Sequence, residues 1–312
     1  MAEAVVQVAP AWALLAALLT ASVALAGAGI DGVLAARLDG RPARTGATTP
    51  ITETARLLRQ RRRTTLAADK PLWRIGVGGL GVVALLMVAV VPLGRWTLLD
   101  LPVGVVWFNA MDVMVWALVW LAGWGPNAVH SLVGGYRFLA QALAYELPLM
   151  FALTAPAVAA ESLRLADVVA AQQGLWFAVW MPVAFGVYCL SVVGFSVGGP
   201  LAPATGADIA GGVLSELSGP DRLLLLAGRY TLLTAGAAFA VPMFLGGGTG
   251  PLLPGWAWVL VKTLLLVAAF VAVRRRLPTL RPDRFVEVGW LVLLPAVLLQ
   301  VLIVAVVAVM GG

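Results

Sequence analysis

Eight stretches of the 312-residue chain are long and apolar enough to cross a bilayer, near 8–30, 75–93, 103–122, 138–160, 175–197, 223–245, 255–273 and 288–309. A hydrocarbon core of about 30 Å is crossed by about 20 helical residues. Lipid offers the backbone no hydrogen-bond partners, so such runs must satisfy themselves as helices. The pattern predicts an all-α polytopic membrane protein with eight transmembrane helices in a single integral membrane domain, residues 1–312. The composition agrees, with 61% hydrophobic and only 12% charged residues. The first segment has no basic leader and is longer than a signal-peptide core, so it reads as a retained helix.

The net charge of +6 would suggest nucleic acid if the basic residues were spread over a soluble surface. They are not spread. Ten Lys/Arg lie between Arg37 and Arg74 and five between Arg274 and Arg284; with Arg137 and Arg222, seventeen of the 21 fall in loops 1–2, 3–4, 5–6 and 7–8. Only Arg95 and Arg164 fall in the opposite loops. The positive-inside rule makes those four loops cytoplasmic and puts both termini outside. Topology explains the basic excess, and no nucleic-acid partner is called for. In the 1–2 loop, "ITETARLLRQRRR" sets Ile51, Ala55 and Leu58 opposite Arg56, Arg59 and Arg63. That spacing predicts a short amphipathic helix capped by Thr52, lying at the headgroups or against a partner; a solvated basic loop fits the same residues.

Soluble-enzyme chemistry has no foothold. The one histidine, His130, and the one cysteine, Cys189, cannot build a disulfide, a metal site or a nucleophilic triad, and no phosphate-binding Gly-Lys loop occurs. What remains is a set of ionisable residues at membrane depth, Asp112, Glu146, Arg229 and Lys262, with Asp31 near a helix end. A charge there costs about 2.5–3.5 kcal/mol on insertion scales and is usually functional. Glu146, in "LAYELPLM", has Tyr145 beside it and Pro148 to free a backbone carbonyl. Two readings stay open: a titratable residue facing a hydrated cavity, or a static ion pair with Arg229. Asp112 reads as a proton-path residue or a structural hydrogen-bond partner, and Lys262 as a charge of the same network or a snorkelling side chain.

The stretch "AGWGPNAVHSLVGGYRFLAQALAYELPL", residues 122–149, resembles the third cytoplasmic loop and following helix of the subunit 1 (H-type) family of respiratory complex I, whose pattern runs roughly AGWxSNxKYxLLGxxRxxAQxxSYE. Trp124, Asn127, Gly134, Arg137, Gln141, Tyr145 and Glu146 are among the matches. "ELSG" at 216–219 resembles the family's EYSG, "GPLLP" at 250–254 its outside loop, and "LPTLRPDRFVEVGWLVLLP" at 277–295 its LPRxRYDQxxxxGWKxxLP. The resemblance implies a membrane component at the junction of a peripheral redox arm and a proton-translocating arm, in the plasma membrane of a bacterium. It would be part of a quinone-reducing, proton-translocating oxidoreductase rather than an enzyme alone. Quinone would be the substrate, and FMN and iron–sulfur clusters would sit on partner subunits. Carried over by position, Glu146, Asp208 and Glu216 become proton-coupling residues. Trp124, Arg137, Phe138, Tyr145 and Arg281 become residues of the quinone chamber or the cytoplasmic face.

The sequence also departs from that family. Where the family has PFDxPEAExEL, this chain has "GPLAPATGADIAGGV", which keeps only Asp208. The family's membrane Glu-Tyr pair reads Arg229-Tyr230, the lysine of GWK is Leu291, and the GPNRxGPxG run is only faintly echoed in "DGRPARTGATTPITETARLL". A proton path cannot run through Ala and Gly without water. Two further readings therefore stand beside the first, the homologous subunit of a membrane-bound hydrogenase-type ion-translocating complex, and a scaffold without proton coupling. A stand-alone transporter lacks the repeated halves expected of one.

Overall fold

The computed structural model describes residues 5–206 and 211–311. Among the described residues, seven helices are long and apolar enough to cross a membrane. Helix α1 (Ala13–Leu38) is followed by α2 (Ala43–Arg59), α3 (Lys70–Val88), α4 (Gly104–Trp124) and α5 (Val129–Ala160). After the short α6 (Leu165–Ala170), the fifth apolar stretch of the sequence forms two pieces, α7 (Phe177–Trp180) and α8 (Pro182–Phe195). Pro182 has no N–H to continue a helix, and the chain breaks at Met181 with φ −118° and ψ 52°. Helix α9 (Gly219–Phe244) and α10 (Gly255–Arg276) follow, and the last stretch is α11 (Pro282–Val288), a π-turn over Gly289–Leu293, and α12 (Leu294–Gly311). The two strands, β1 (Val6–Gln7) and β2 (Trp96–Thr97), pair in parallel and clip the N-terminal segment to the loop after α3.

Helix α9 is the most buried of the long helices. It can be surrounded because it is rich in small residues. Gly228 lies against Leu80 of α3, and Gly236 against Val192 and Phe195 of α8. Phe239 stacks on Phe108 of α4 at 3.7 Å between ring centres, which fixes α4 over the same axis.

The C-terminal end of α9 and the turn after it carry carbonyls that no further helical turn can satisfy, and two side chains take them up. Gln172 donates to Pro242 O at 2.7 Å, while its own carbonyl accepts from Gly246 N. Lys262 Nζ donates to Leu245 O, Gly247 O and Thr249 O at 2.7–2.9 Å and lies over the Trp176 ring at 4.4 Å. Lys262 therefore does not snorkel, and among the described residues it pairs with no acid; it organises the glycine-rich 6–7 turn, and its charge suits the negative end of the helix.

The amphipathic helix of the 1–2 loop is present, in a different register from the sequence expectation. It begins at Ala43 after Pro42 with no side-chain cap, so Thr52 lies well inside it. Its protein-facing residues are Gly46 and Leu57, whereas Ile51 and Leu58 are about 60% exposed. The reason is close packing. Gly46 meets Gly32 of α1 so tightly that a Cβ on either would stand 2.2 Å from the other's carbonyl oxygen.

The four loops rich in basic residues or joined to them converge on one face. Arg63 N donates to Ser218 Oγ, Asp69 N to Gly125 O, and Leu280 N to Pro200 O, at 2.7–2.8 Å. Arg62 pairs with Asp221 at 3.2 Å.

Candidate functional site

Helix α4 presents Asn109, Asp112 and Trp116 at i, i+3 and i+7, one face turned toward α5. Helix α5 brings Tyr145 and Glu146 to the same level. Glu146 Oε1 accepts from Asn109 Nδ2 at 3.2 Å. The carboxyl groups of Asp112 and Glu146 face each other directly, with Asp112 fully buried and Glu146 7% exposed. Both Asp112 oxygens, Glu146 Oε2, Asn109 Oδ1, the Tyr145 hydroxyl and the Trp116 indole nitrogen are buried without a hydrogen-bond partner among the described residues. Buried polar atoms are almost always satisfied, so five residues left open at one place mark a site built for something more than packing.

Pro148 contributes locally by removing the donor that would have bonded Ala144 O. Gly289 of the π-turn approaches that carbonyl so closely that a Cβ there would lie 2.4 Å from it. The irregular last helix and the proline of α5 thus fit each other.

A second polar cluster joins α1, α9 and α10. Asp31 receives Arg275 Nε at 2.6 Å and Nη2 at 2.8 Å, and accepts from the Tyr230 hydroxyl at 2.7 Å, with Arg274 at 3.9 Å. Arg229, one residue before Tyr230, is 7% exposed and forms no ion pair among the described residues. The alternative of a Glu146–Arg229 ion pair is corrected here. Glu146 engages Asp112 and Asn109, while the charges nearest Arg229 are Arg274 and Asp31.

The sequence model of the NADH dehydrogenase family matches residues 11–305. The chain belongs to this family. It is 36% identical to an NADH-quinone oxidoreductase H-type subunit of Geobacter sulfurreducens over 265 residues, which cover 81% of this chain and 80% of the relative. It is 34% identical to the corresponding protein of Geobacter metallireducens over the same shares, and 31% identical to that of Rhodopseudomonas palustris, covering 83% of this chain and 82% of the relative. With seven apolar helices and bacterial relatives of this kind, it is an integral multi-pass protein of the plasma membrane.

Within this NADH dehydrogenase family member, the residues singled out from the sequence are scattered over several places. Tyr145, Glu146 and Asp112 share the buried cluster. Arg137 and Gln141 instead hold the 5–6 loop, donating to Gly211 O at 2.9 Å and Leu201 O at 2.7 Å. Trp124 is stacked on Trp120 at the turn before α5 and is 45% exposed. Arg281 is exposed and pairs with Asp283 at 3.2 Å. Phe138 is fully buried core. Glu216 is half-buried without an ion pair among the described residues, and Asp208 lies outside them.

The described part of the 5–6 loop is a packed apolar plug. Gly199, Pro200, Leu201, Ala204, Val213 and Leu214 are buried. A cavity of about 490 Å³ lies at the opposite end, among Trp12, Trp96, Trp256 and aliphatic residues, and no acidic residue lines it.

Sequence reasoning missed Asn109 as a partner of Glu146, although its place three residues before Asp112 in "FNAMD" signals a shared helix face. It also missed Gln172, for which a pair of adjacent glutamines in a loop gives no signal.

Proposed function

We propose that this chain is the membrane subunit of a complex I-like NADH:quinone oxidoreductase, walling the quinone chamber with its basic face and linking the peripheral redox arm to the proton-translocating arm. On this reading the broken α7–α8 segment is the eighth span, both termini lie outside, and the basic face is cytoplasmic. FMN and iron–sulfur centres belong to partner subunits, and quinone is the substrate that accepts their electrons. Trp124, Arg137 and Arg281 serve on the cytoplasmic wall, with Phe138 and Tyr145 behind them.

The observation that carries the reading is the carboxyl pair Asp112–Glu146, buried and short of donors. Two carboxylates in contact away from water oppose each other's charge, so the pair holds a shared proton. It can pass that proton on when the surroundings rehydrate. Glu216 and Asp208 are the further acids this reading assigns to proton coupling.

One observation favours the hydrogenase-type alternative. The 5–6 loop is apolar and tightly packed where the resemblance expects carboxylates, which suits a complex that does not take quinone at that loop. A coupled assay of the native assembly separates the readings. We expect Glu146→Gln to lower proton-coupled quinone reduction at least about tenfold with assembly intact, and Asp112→Asn to do the same. Hydrogen-linked turnover without quinone would replace the first reading by the second. Unchanged turnover in both variants would make the pair structural.

A further inference from the structure

The guanidinium of Arg229 stands out as the least compensated charge among the described residues. It is 7% exposed, and its Nε and Nη2 have no hydrogen-bond partner among those residues. It borders a small cavity together with Ser196, Gly198, Tyr230, Phe270 and Arg274. A guanidinium cannot shed its proton in a protein, so burial here cannot be relieved by neutralisation.

The neighbouring charges make the imbalance worse. Arg229, Arg274 and Arg275 face the single carboxylate of Asp31, and that carboxylate is already engaged by both donors of Arg275 and by the Tyr230 hydroxyl. Nothing in the cluster is left to pair with Arg229. The cavity measures about 10 Å³, on a scale where one water needs about 10–15 Å³. That is the lower limit for one water, so a halide, which is larger than water, needs the side chains around it to move apart slightly. A water would satisfy a hydrogen bond and leave the charge, whereas a buried charge needs an opposite charge as well as a donor or acceptor.

We propose that the cavity between Arg229 and Arg274 is a binding site for one small monovalent anion of halide size, chloride under cellular conditions. The anion would accept from the free Arg229 donors, with Arg274 supplying the second positive charge. The site stands independently of whether the assembly reduces quinone, because it rests only on this chain's own charges.

Ligand binding to the folded state raises the unfolding midpoint in a saturable way. The test is thermal unfolding of the purified full-length chain in detergent, followed by tryptophan fluorescence, with chloride or bromide replacing gluconate at constant ionic strength. We expect a saturable upward shift of about 3 °C or more in wild type, its loss in Arg229→Gln, and a weaker but measurable response in Arg229→Lys, which keeps the charge without the fork. Arg95→Gln, a loop variant, should keep the full response. A wild-type midpoint indifferent to halide would overturn the proposal and leave a water there. A halide response that survives Arg229→Gln would overturn it too. If halide acts only once Asp208→Asn is introduced, the counter-charge is that carboxylate and the anion site is withdrawn.

Discussion

Two buried charges of this protein are handled in opposite ways, and the difference lies in their donors and acceptors. Lys262 has three carbonyl acceptors and an aromatic face for its three N–H groups, so it is saturated. Glu146 has one donor for two oxygens and a second carboxyl against it. A saturated charge is a fastener; an unsaturated one is free to change its protonation. Replacing Lys262 by Met should strip the caps from the end of α9 and cost about 2 kcal/mol, the scale of a charge-assisted hydrogen bond lost with its acceptors left bare. The unfolding midpoint should fall while turnover per assembled complex stays near wild type. A large loss of turnover at unchanged stability would instead put Lys262 among the coupling residues. No sequence pattern distinguishes these two cases, because a lysine or glutamate in an apolar run looks alike until its neighbours from other helices arrive.

At the level of elements, the packing is set by where side chains are missing. Helix α2 can lie on α1 only because Gly46 and Gly32 let the backbones touch. We expect Gly46→Ala to push them apart, since the obstacle is a carbonyl oxygen that cannot rotate away, at a cost of about 2 kcal/mol. Gly78→Ala in α3, which faces open space, is the matched control and should be neutral or mildly stabilising. Equal midpoints for the two would show that the α1–α2 contact is loose. Hydropathy made the existence of the long helices legible, though not their bounds, as α5 begins at Val129 rather than near 138, because burial in lipid leaves each span apolar on every side. The same uniformity hid what faces what. In α2 the apolar stripe Ile51–Leu58 stays exposed, free for headgroups or a partner, while the contacts within the chain go to Gly46 and Leu57, residues that hydrophobic periodicity ranks low or reads in a different register. The break at Met181–Pro182 is written in the proline, which mean hydropathy over an apolar run does not register. The carboxyl pair was half legible: each acid was visible, but their meeting depends on how α4 and α5 pack.

The whole molecule is organised by the distribution of charge between its two faces. Loop residues from Gln60 to Asp69, from Gly125 to Pro126, from Ser196 to Gly206, from Gly211 to Asp221 and from Leu277 to Arg281 meet at one end, tied by backbone bonds and by the Arg62–Asp221 pair. The glycine-rich turn held by Lys262 and the β1–β2 clip lie at the other. Charge counts along the sequence already assigned those loops to one side, because the rule that retains basic loops in the cytoplasm acts on each loop separately and survives ignorance of the fold. Leu66 and Leu252 are both fully exposed, one on each face, and the chain's one native cysteine, Cys189, lies within α8. In a Cys189→Ala background expressed in intact cells, a membrane-impermeant thiol reagent should modify Leu252→Cys at once and Leu66→Cys only after permeabilisation. The reverse pattern would invert the topology and place the basic face outside. Modification of both in intact cells would remove one crossing, and with it the α7–α8 segment as a span. The broken segment is the element on which the parity of crossings turns, since seven long helices put the two faces of the chain on the sides described only if Phe177–Phe195 crosses as well.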